Sequence, residues 1–381
     1  MRAIVVGAGA WGLPAAAELQ ARGHDVTLVD RYGVGNTLAS SSGPTRLWRF
    51  ADPDPVKVRL MRRGLDAMER LESRSGRRVF IRRGLLWRDD AGLGRLVDTL
   101  SEEGVDHTVV DSRDVDRYFP GLRPDGRDAV WAPDGGAVLA SESLAAQWAL
   151  FDAHGGVAVV GRAVTRVERS GASPRVVLAD GTMLSADVVV LAPGPGASPL
   201  LAGLGVDLPL LPVLEQVVHV GDPAAPQLTD ALPGFIDAPR RDEPGIYAMP
   251  TPGIGYKIGI DEAIRDWAED DLDRTPSETR TLETVERVRR DFPGIAPHAL
   301  DAAVCSWTAS PDGRFVVDAL DGGVVIACGD SGSGFKFSAV MGLVLADLAE
   351  GRAPDADVES LGLVRFAGAP PRAVPRSLFD V

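Results

Sequence analysis

Ala3-Ile4-Val5-Val6 is an apolar run of strand length, and it opens directly into Gly7-Ala8-Gly9-Ala10-Trp11-Gly12. An Ala/Leu-rich run follows as far as Arg22, and then Asp25-Val26-Thr27-Leu28-Val29-Asp30. The order is strand, Gly-rich turn, helix, and strand ending in an acid, within the about thirty residues of a βαβ unit. Gly7 permits the tight turn, Gly9 lets the backbone approach a pyrophosphate, and Gly12 lets helix and strand pack closely. The helix N-terminus offers unpaired N–H groups and a partial positive charge to phosphates. Asp30 can accept hydrogen bonds from a ribose. The pattern predicts a dinucleotide site, and leaves flavin and nicotinamide dinucleotides equally open.

The 381 residues are enough for about two domains, with 45% hydrophobic and 25% charged residues as in soluble globular proteins. A formal net charge of −14 argues against nucleic acid or an anionic membrane as a partner, so an anionic substrate needs a local basic pocket. No apolar run approaches the roughly eighteen residues of a membrane span, and the opening strand leaves no room for a signal peptide. Cys305 and Cys328 make neither a zinc spacing nor a disulfide framework, so no metal is expected. The expectation is a cytoplasmic monomer.

Residues 33–50 are small and polar and form either a surface loop or a loop lying along a cofactor, with Ser41, Ser42 and Thr45 among the candidates. Helical spacing is seen at 57–72, 92–104, 141–154 (Ser141 as N-cap), 276–291 and 337–350. Ala186 to Leu191 is a buried-strand run that meets a second Gly-rich turn at Gly194, and Val324 to Cys328 meets a third at Gly329 to Gly334. Strands at 216–220, 245–249 and 256–260 suit an antiparallel sheet. Residues 367–381 are Pro/Ala-rich and are expected to trail over the surface.

Four stretches now coincide: Gly7–Gly12 with Asp30; Gly43-Pro44-Thr45-Arg46-Leu47-Trp48-Arg49; Cys305-Ser306-Trp307-Thr308-Ala309-Ser310-Pro311-Asp312; and Gly332-Ser333-Gly334-Phe335-Lys336-Phe337-Ser338. Together, and nearly end to end, the chain resembles the D-amino-acid-oxidase-like flavoproteins, in the branch of monomeric sarcosine oxidase and N-methyltryptophan oxidase. The resemblance implies FAD, an α/β fold with a discontinuous Rossmann-type FAD-binding domain (1–80, 141–212 and 302–381), and an inserted α+β substrate domain on a mainly antiparallel sheet (81–140 and 213–301). It implies a covalent bond from Cys305 to the flavin 8α-methyl carbon, with Cys328 a buried apolar residue. It also implies that Lys257 activates oxygen near flavin N5, that Arg49 and Lys336 grip a substrate carboxylate, that Arg46 lies close to the flavin ring, and that Tyr247 is an active-site tyrosine. Gly332, Gly334 and Lys336 also fall among the cofactor contacts.

The departures bear on substrate. Ser42 and Asp261 stand where sarcosine-type members carry histidines, and Trp48 puts a large ring beside the arginines. A carboxylate at Asp261 can pair with a second amine on the substrate or with a neighbouring basic residue. The reading is an oxidase of a secondary amine or amino acid, giving imine and hydrogen peroxide, with a substrate bulkier or more polar than sarcosine. Its rivals are a dehydrogenase or oxidase with non-covalent FAD, and a catalytically idle flavin-binding protein.

Overall fold

The computed structural model describes residues 1–169, 173–240, 242–367, 374–377 and 379. Among these, the fold is mixed α/β with two large sheets. The first takes strands Arg2–Val6, Asp25–Asp30, Val157–Val160, Val188–Leu191 and Val324–Cys328 in parallel, with Val316–Leu320 antiparallel at one edge. Alternation along its central strands explains its two coats. Ala3, Val5, Val188 and Val190 face helices Gly12–Ala21, Pro55–Ser75, Ala140–Ala153 and Ser338–Ala349. Ile4, Val6, Val189 and Leu191 face helix Ala197–Gly203 and a small three-stranded sheet. A strand buried on both faces reads as an unbroken apolar run, which is why these were visible in the sequence.

The second sheet has nine strands. Toward one end, Leu211–Val220 lies between Gly255–Ile260 and Ala299–Ala309, with the short strand Arg265–Asp266 also paired to it, and Ile246–Thr251 and Gly234–Asp237 continue the sheet. Leu85–Arg88, Ala129–Ala132 and Thr108–Val110 complete the far side. Ala299–Ala309, which carries Cys305, therefore belongs to the antiparallel sheet, and a boundary at residue 302 cuts through it.

Three local expectations differ from the structure. Ser141 lies inside helix Ala140–Ala153, and its hydroxyl donates to the Gly43 carbonyl instead of capping. Residues Thr45–Trp48 form a short strand paired with Gly136–Leu139, because their burial is decided by contacts distant in sequence. The chain end does not simply trail: Ser377 donates to Asp261, and Phe379 packs edge-on against Trp87 with ring centroids 6.3 Å apart. Much of 367–381 lies outside the described residues.

Candidate active site

Register on the antiparallel sheet collects the candidate residues on one face. Directly opposed residues share a face and alternate residues return to it. Val217 opposes Gly259, Gly259 opposes Tyr247, Lys257 opposes both Met249 and His219, and Glu215 opposes Cys305. Tyr247, Lys257, Glu215 and Cys305 thus project from the same side, although up to 90 residues separate Glu215 from Cys305. Gly259 is what allows the Tyr247 ring to lie flat on the sheet, since a Cβ there would come within 2.3 Å of the ring.

This face walls a cavity of about 1800 Å³, counted out to its open mouth, whose other wall is the C-terminal edge of the parallel sheet. At the parallel-sheet end the chain turns at Gly7 with φ +101°, where a Cβ would lie 2.2 Å from the Ala192 oxygen. Gly7, Gly9 and Asp30 line the cavity. Gly12 does not; it lets the helix seat on the turn, where a Cβ would meet the Gly7 oxygen at 1.9 Å. Asp30 accepts from the backbone N–H groups of Ala8 (2.7 Å), Tyr32 (2.8 Å) and Gly33 (2.6 Å), so it fastens the turn as well as facing the cavity. Ser41 accepts from Ala10 N at 2.8 Å, which sets the polar loop along the glycine turn. Gly194, Gly332 and Gly334 line the same space, and Trp11 Nε1 donates to the Gly334 carbonyl at 2.9 Å, tying the first glycine turn to the last. Ligand at the C-terminal ends of parallel strands is the expected place in an open α/β sheet.

Arg46 turns back on its own loop. Its guanidinium donates to the carbonyls of Thr45 (2.9 Å), Ser40 (2.7 Å) and Ser42 (2.5 Å) and lies 5.5 Å from the Phe335 ring. Ser42 and Thr45 do not line the cavity: Ser42 contributes that carbonyl, and the Thr45 hydroxyl bonds to Thr251 at 2.7 Å. Lys257 lies below the cavity surface, its ammonium donating to the Thr45 carbonyl at 2.5 Å. Burial pulls its pKa well below the lysine range, with the Arg46 charge adding to the effect.

Arg49 and Lys336 both line the cavity and are both buried. Arg49 pairs with Asp52 at 2.9 Å and lies 4.7 Å from the Trp87 ring. Burial lowers the basicity of both cations, and at Lys336 the Arg49 charge lowers it further. Asp52 stays below the usual carboxylate range despite its own burial, because Arg49, Lys57 and Lys336 surround it. A pair of desolvated cations facing a cavity is stabilised by an incoming carboxylate.

Trp48 is placed differently from its expectation. It is fully buried, packed against Phe50 (4.8 Å) and Phe80 (5.1 Å), and does not line the cavity. Trp48 ends the strand Thr45–Trp48 inside the core, and Arg49, just beyond the strand, reaches the cavity. Cys305 is half-buried in the wall, where desolvation pushes its thiol up and Arg46 opposes the shift. Cys328 is buried and also touches the cavity, with its pKa pushed up to about 12 by burial.

Asp261 lines the wall near Glu215, a residue the sequence reading passed over. The Tyr247 hydroxyl donates to one Glu215 oxygen, and Trp307 Nε1 donates to the other at 2.9 Å. Burial, with Asp261 adding to it, pushes the Glu215 carboxyl up to about 8. An acid inside the apolar run Val213-Leu214-Glu215-Gln216-Val217-Val218 was the available signal. Asp330 is half-buried at the cavity, its carboxyl pushed up to about 6 by desolvation. Among the described residues no cluster has a metal-binding composition, and no helix is long and apolar enough to cross a membrane.

A family model described as FAD dependent oxidoreductase matches residues 2–348. Monomeric sarcosine oxidase of Streptomyces avermitilis is 29% identical over 359 residues, covering 91% of this chain and 92% of that one. N-methyl-L-tryptophan oxidase of Citrobacter koseri is 26% identical over 95% of this chain and 98% of its own. Among solved structures, NikD, described as an unusual amino acid oxidase essential for nikkomycin biosynthesis, superposes with a TM-score of 0.82 at 24% identity, covering 94% and 96% of the two chains. Glycine oxidase from Geobacillus kaustophilus gives 0.79 at 20% identity, covering 96% and 99%. With its glycine turns, its cavity and a family match over nearly its whole length, the chain belongs to the FAD dependent oxidoreductases.

Proposed function

We propose that this protein oxidises the C–N bond of a secondary amine or amino acid to the imine, passing the electrons to oxygen to give hydrogen peroxide. The observation that carries the reading is the opening of Arg49 and Lys336 into the same cavity as the Gly7–Gly12 turn and the Cys305 sheet face. FAD supplies the two-electron acceptor when bound. Gly7, Gly9, Ser41, Gly194, Gly332 and Gly334 hold it through backbone and hydroxyl contacts, and Cys305 stands as its covalent anchor.

The other roles follow from charge and placement. Arg49 and Lys336 hold the substrate carboxylate, with Asp52 fixing the arginine from behind. Arg46 shapes the loop beside the reacting centre. Lys257 puts an ammonium group where oxygen gains negative charge, able to stabilise that charge and to give it a proton. Tyr247, Glu215 and Asp261 form a polar stretch of the same cavity wall, which suits an amino acid carrying a distal hydrogen-bond donor and is poorly matched to sarcosine. The setting we propose is a cytoplasmic single chain; the two free thiols fit a reducing compartment, and relatives described as monomeric support the second part. We further propose that the two sheets mark an FAD-binding and a substrate domain.

A second reading, a dehydrogenase with freely bound FAD, is favoured by one observation: burial disfavours the Cys305 thiolate. A peroxide assay over N-methyl, cyclic and distal-amine amino acids separates these readings. Peroxide with a polar or cyclic amino acid faster than with sarcosine is the expected outcome. Reduction by substrate without peroxide selects the dehydrogenase, and sarcosine as the fastest substrate removes the specificity argument.

A further inference from the structure

Lys257, His219 and Asp301 stand directly opposite one another across three neighbouring strands: Lys257 faces His219, and His219 faces Asp301. This row runs from the buried lysine under the cavity to a side chain that is 61% exposed. His219 itself is buried, and neither ring nitrogen has a hydrogen-bond partner among the described residues; Nδ1 lies 3.7 Å from the Asp301 carboxylate. Buried polar groups are nearly always satisfied, often through a bound water, so a buried imidazole left between a lysine and an exposed acid needs a reason.

We propose that His219 is a positioning and proton-relay residue that reloads Lys257 from solvent through Asp301. The inference rests on the oxygen-side role of Lys257 proposed above. The stoichiometry calls for one proton from outside the substrate: neutral amine, oxygen and one proton give the protonated imine and hydrogen peroxide, with two electrons and one proton leaving the substrate as a hydride equivalent. The second proton of the peroxide comes from water and has to reach Lys257, which is buried below the cavity surface. An imidazole can take a proton at one nitrogen and release one at the other. The charges facing His219 are Lys257 on one side and Asp301 on the other. Burial, and then the Lys257 ammonium, hold His219 down at about 3. Once Lys257 has given its proton away that repulsion ends, His219 becomes more basic, and transfer toward the lysine is favoured.

The test uses the holoenzyme. In nitrogen-15 NMR of labelled histidines, Lys257→Met is expected to raise the His219 pKa by about one unit or more. In stopped flow, His219→Gln is expected to slow reoxidation by about tenfold or more while substrate reduction of the cofactor changes far less. Asp301→Asn, a surface change that leaves the core untouched, is expected to slow reoxidation in the same direction and to raise its solvent deuterium isotope effect. Should Lys257→Met slow reoxidation while His219→Gln and Asp301→Asn do not, the relay is overturned and the lysine's role stands. If Lys257→Met leaves reoxidation unchanged, the oxygen-side reading falls and takes the relay with it.

Discussion

The Tyr247 hydroxyl and the Glu215 carboxylate share a hydrogen bond in the wall of the cavity, on strands joined through Gly255–Ile260. The direction of that bond depends on the proton inventory of Glu215. With Glu215 ionised, Tyr247 and Trp307 both donate to it. With Glu215 protonated, the acid can donate to the Tyr247 oxygen, and the phenolic hydrogen is released toward the cavity.

That pairing gives a pH prediction. The folded state keeps the Glu215 proton up to about 8, whereas an ordinary glutamate loses it near 4.5. The group's stabilising contribution is therefore complete below pH 4.5 and declines as pH rises to about 8. Glu215→Gln mimics the protonated acid, its amide donating to Tyr247 and its carbonyl accepting from Trp307. Thermal unfolding of the variant should lack that decline, gaining roughly 2–4 kcal/mol over wild type at the alkaline end relative to the acid end. Parallel pH curves for the two proteins would contradict the assignment.

The carboxylate grip predicts a selective binding defect. Lys336→Met should raise KM for an amino acid substrate by roughly 10- to 100-fold, the size of a lost charge-assisted hydrogen bond. The corresponding amine without a carboxylate should be affected far less. Equal losses for both compounds would place Lys336 outside the carboxylate site.

Gly259 predicts a steric effect. A methyl group at this position collides with the Tyr247 ring. Gly259→Ala should displace the ring, break its bond to Glu215 and cost about 1–3 kcal/mol of stability. Calorimetry together with kcat/KM checks it: both should fall, whereas wild-type values would mean the ring is free to move.

Away from the site, Asp237 is completely buried and bonded to Arg88 (3.0 Å), Arg287 (3.0 Å), Arg240 (3.2 Å) and Arg127 (2.5 Å). These arginines hold its carboxyl down at about 2 in spite of burial. Its stabilisation is present above the ordinary aspartate value of 3.8 and is lost as pH falls through about 2. Asp237→Asn removes the fully buried carboxylate that four arginines share, leaving them only Asp125, Glu243 and Asp291 among the described residues, and should cost about 3–5 kcal/mol, read as a drop in the unfolding midpoint. A neutral effect would show that the arginines find other partners.

The sequence declared the parallel sheet most clearly, because strands such as Val188–Leu191 and Val324–Cys328 are buried on both faces and end in glycine turns. It declared the half-buried antiparallel strands less sharply, and the strand Ala299–Ala309 was divided between domains because its pairing with Leu211–Val220 is a contact over long separation. Trp48 is placed away from the cavity for a related reason: adjacency to Arg49 in sequence does not say that two side chains at a strand end point the same way. Glu215, His219 and Asp52 were missed because a single charged or polar residue gains meaning only from what the fold sets beside it, here Tyr247, Lys257 and Arg49.

The most direct test of the account is the visible spectrum of the purified protein before and after acid precipitation, for wild type and Cys305→Ala. Yellow flavin retained in the wild-type pellet and released from the Cys305→Ala pellet is the predicted result. Flavin released from both would contradict the covalent anchor at Cys305, and a colourless protein would contradict the flavoenzyme reading itself.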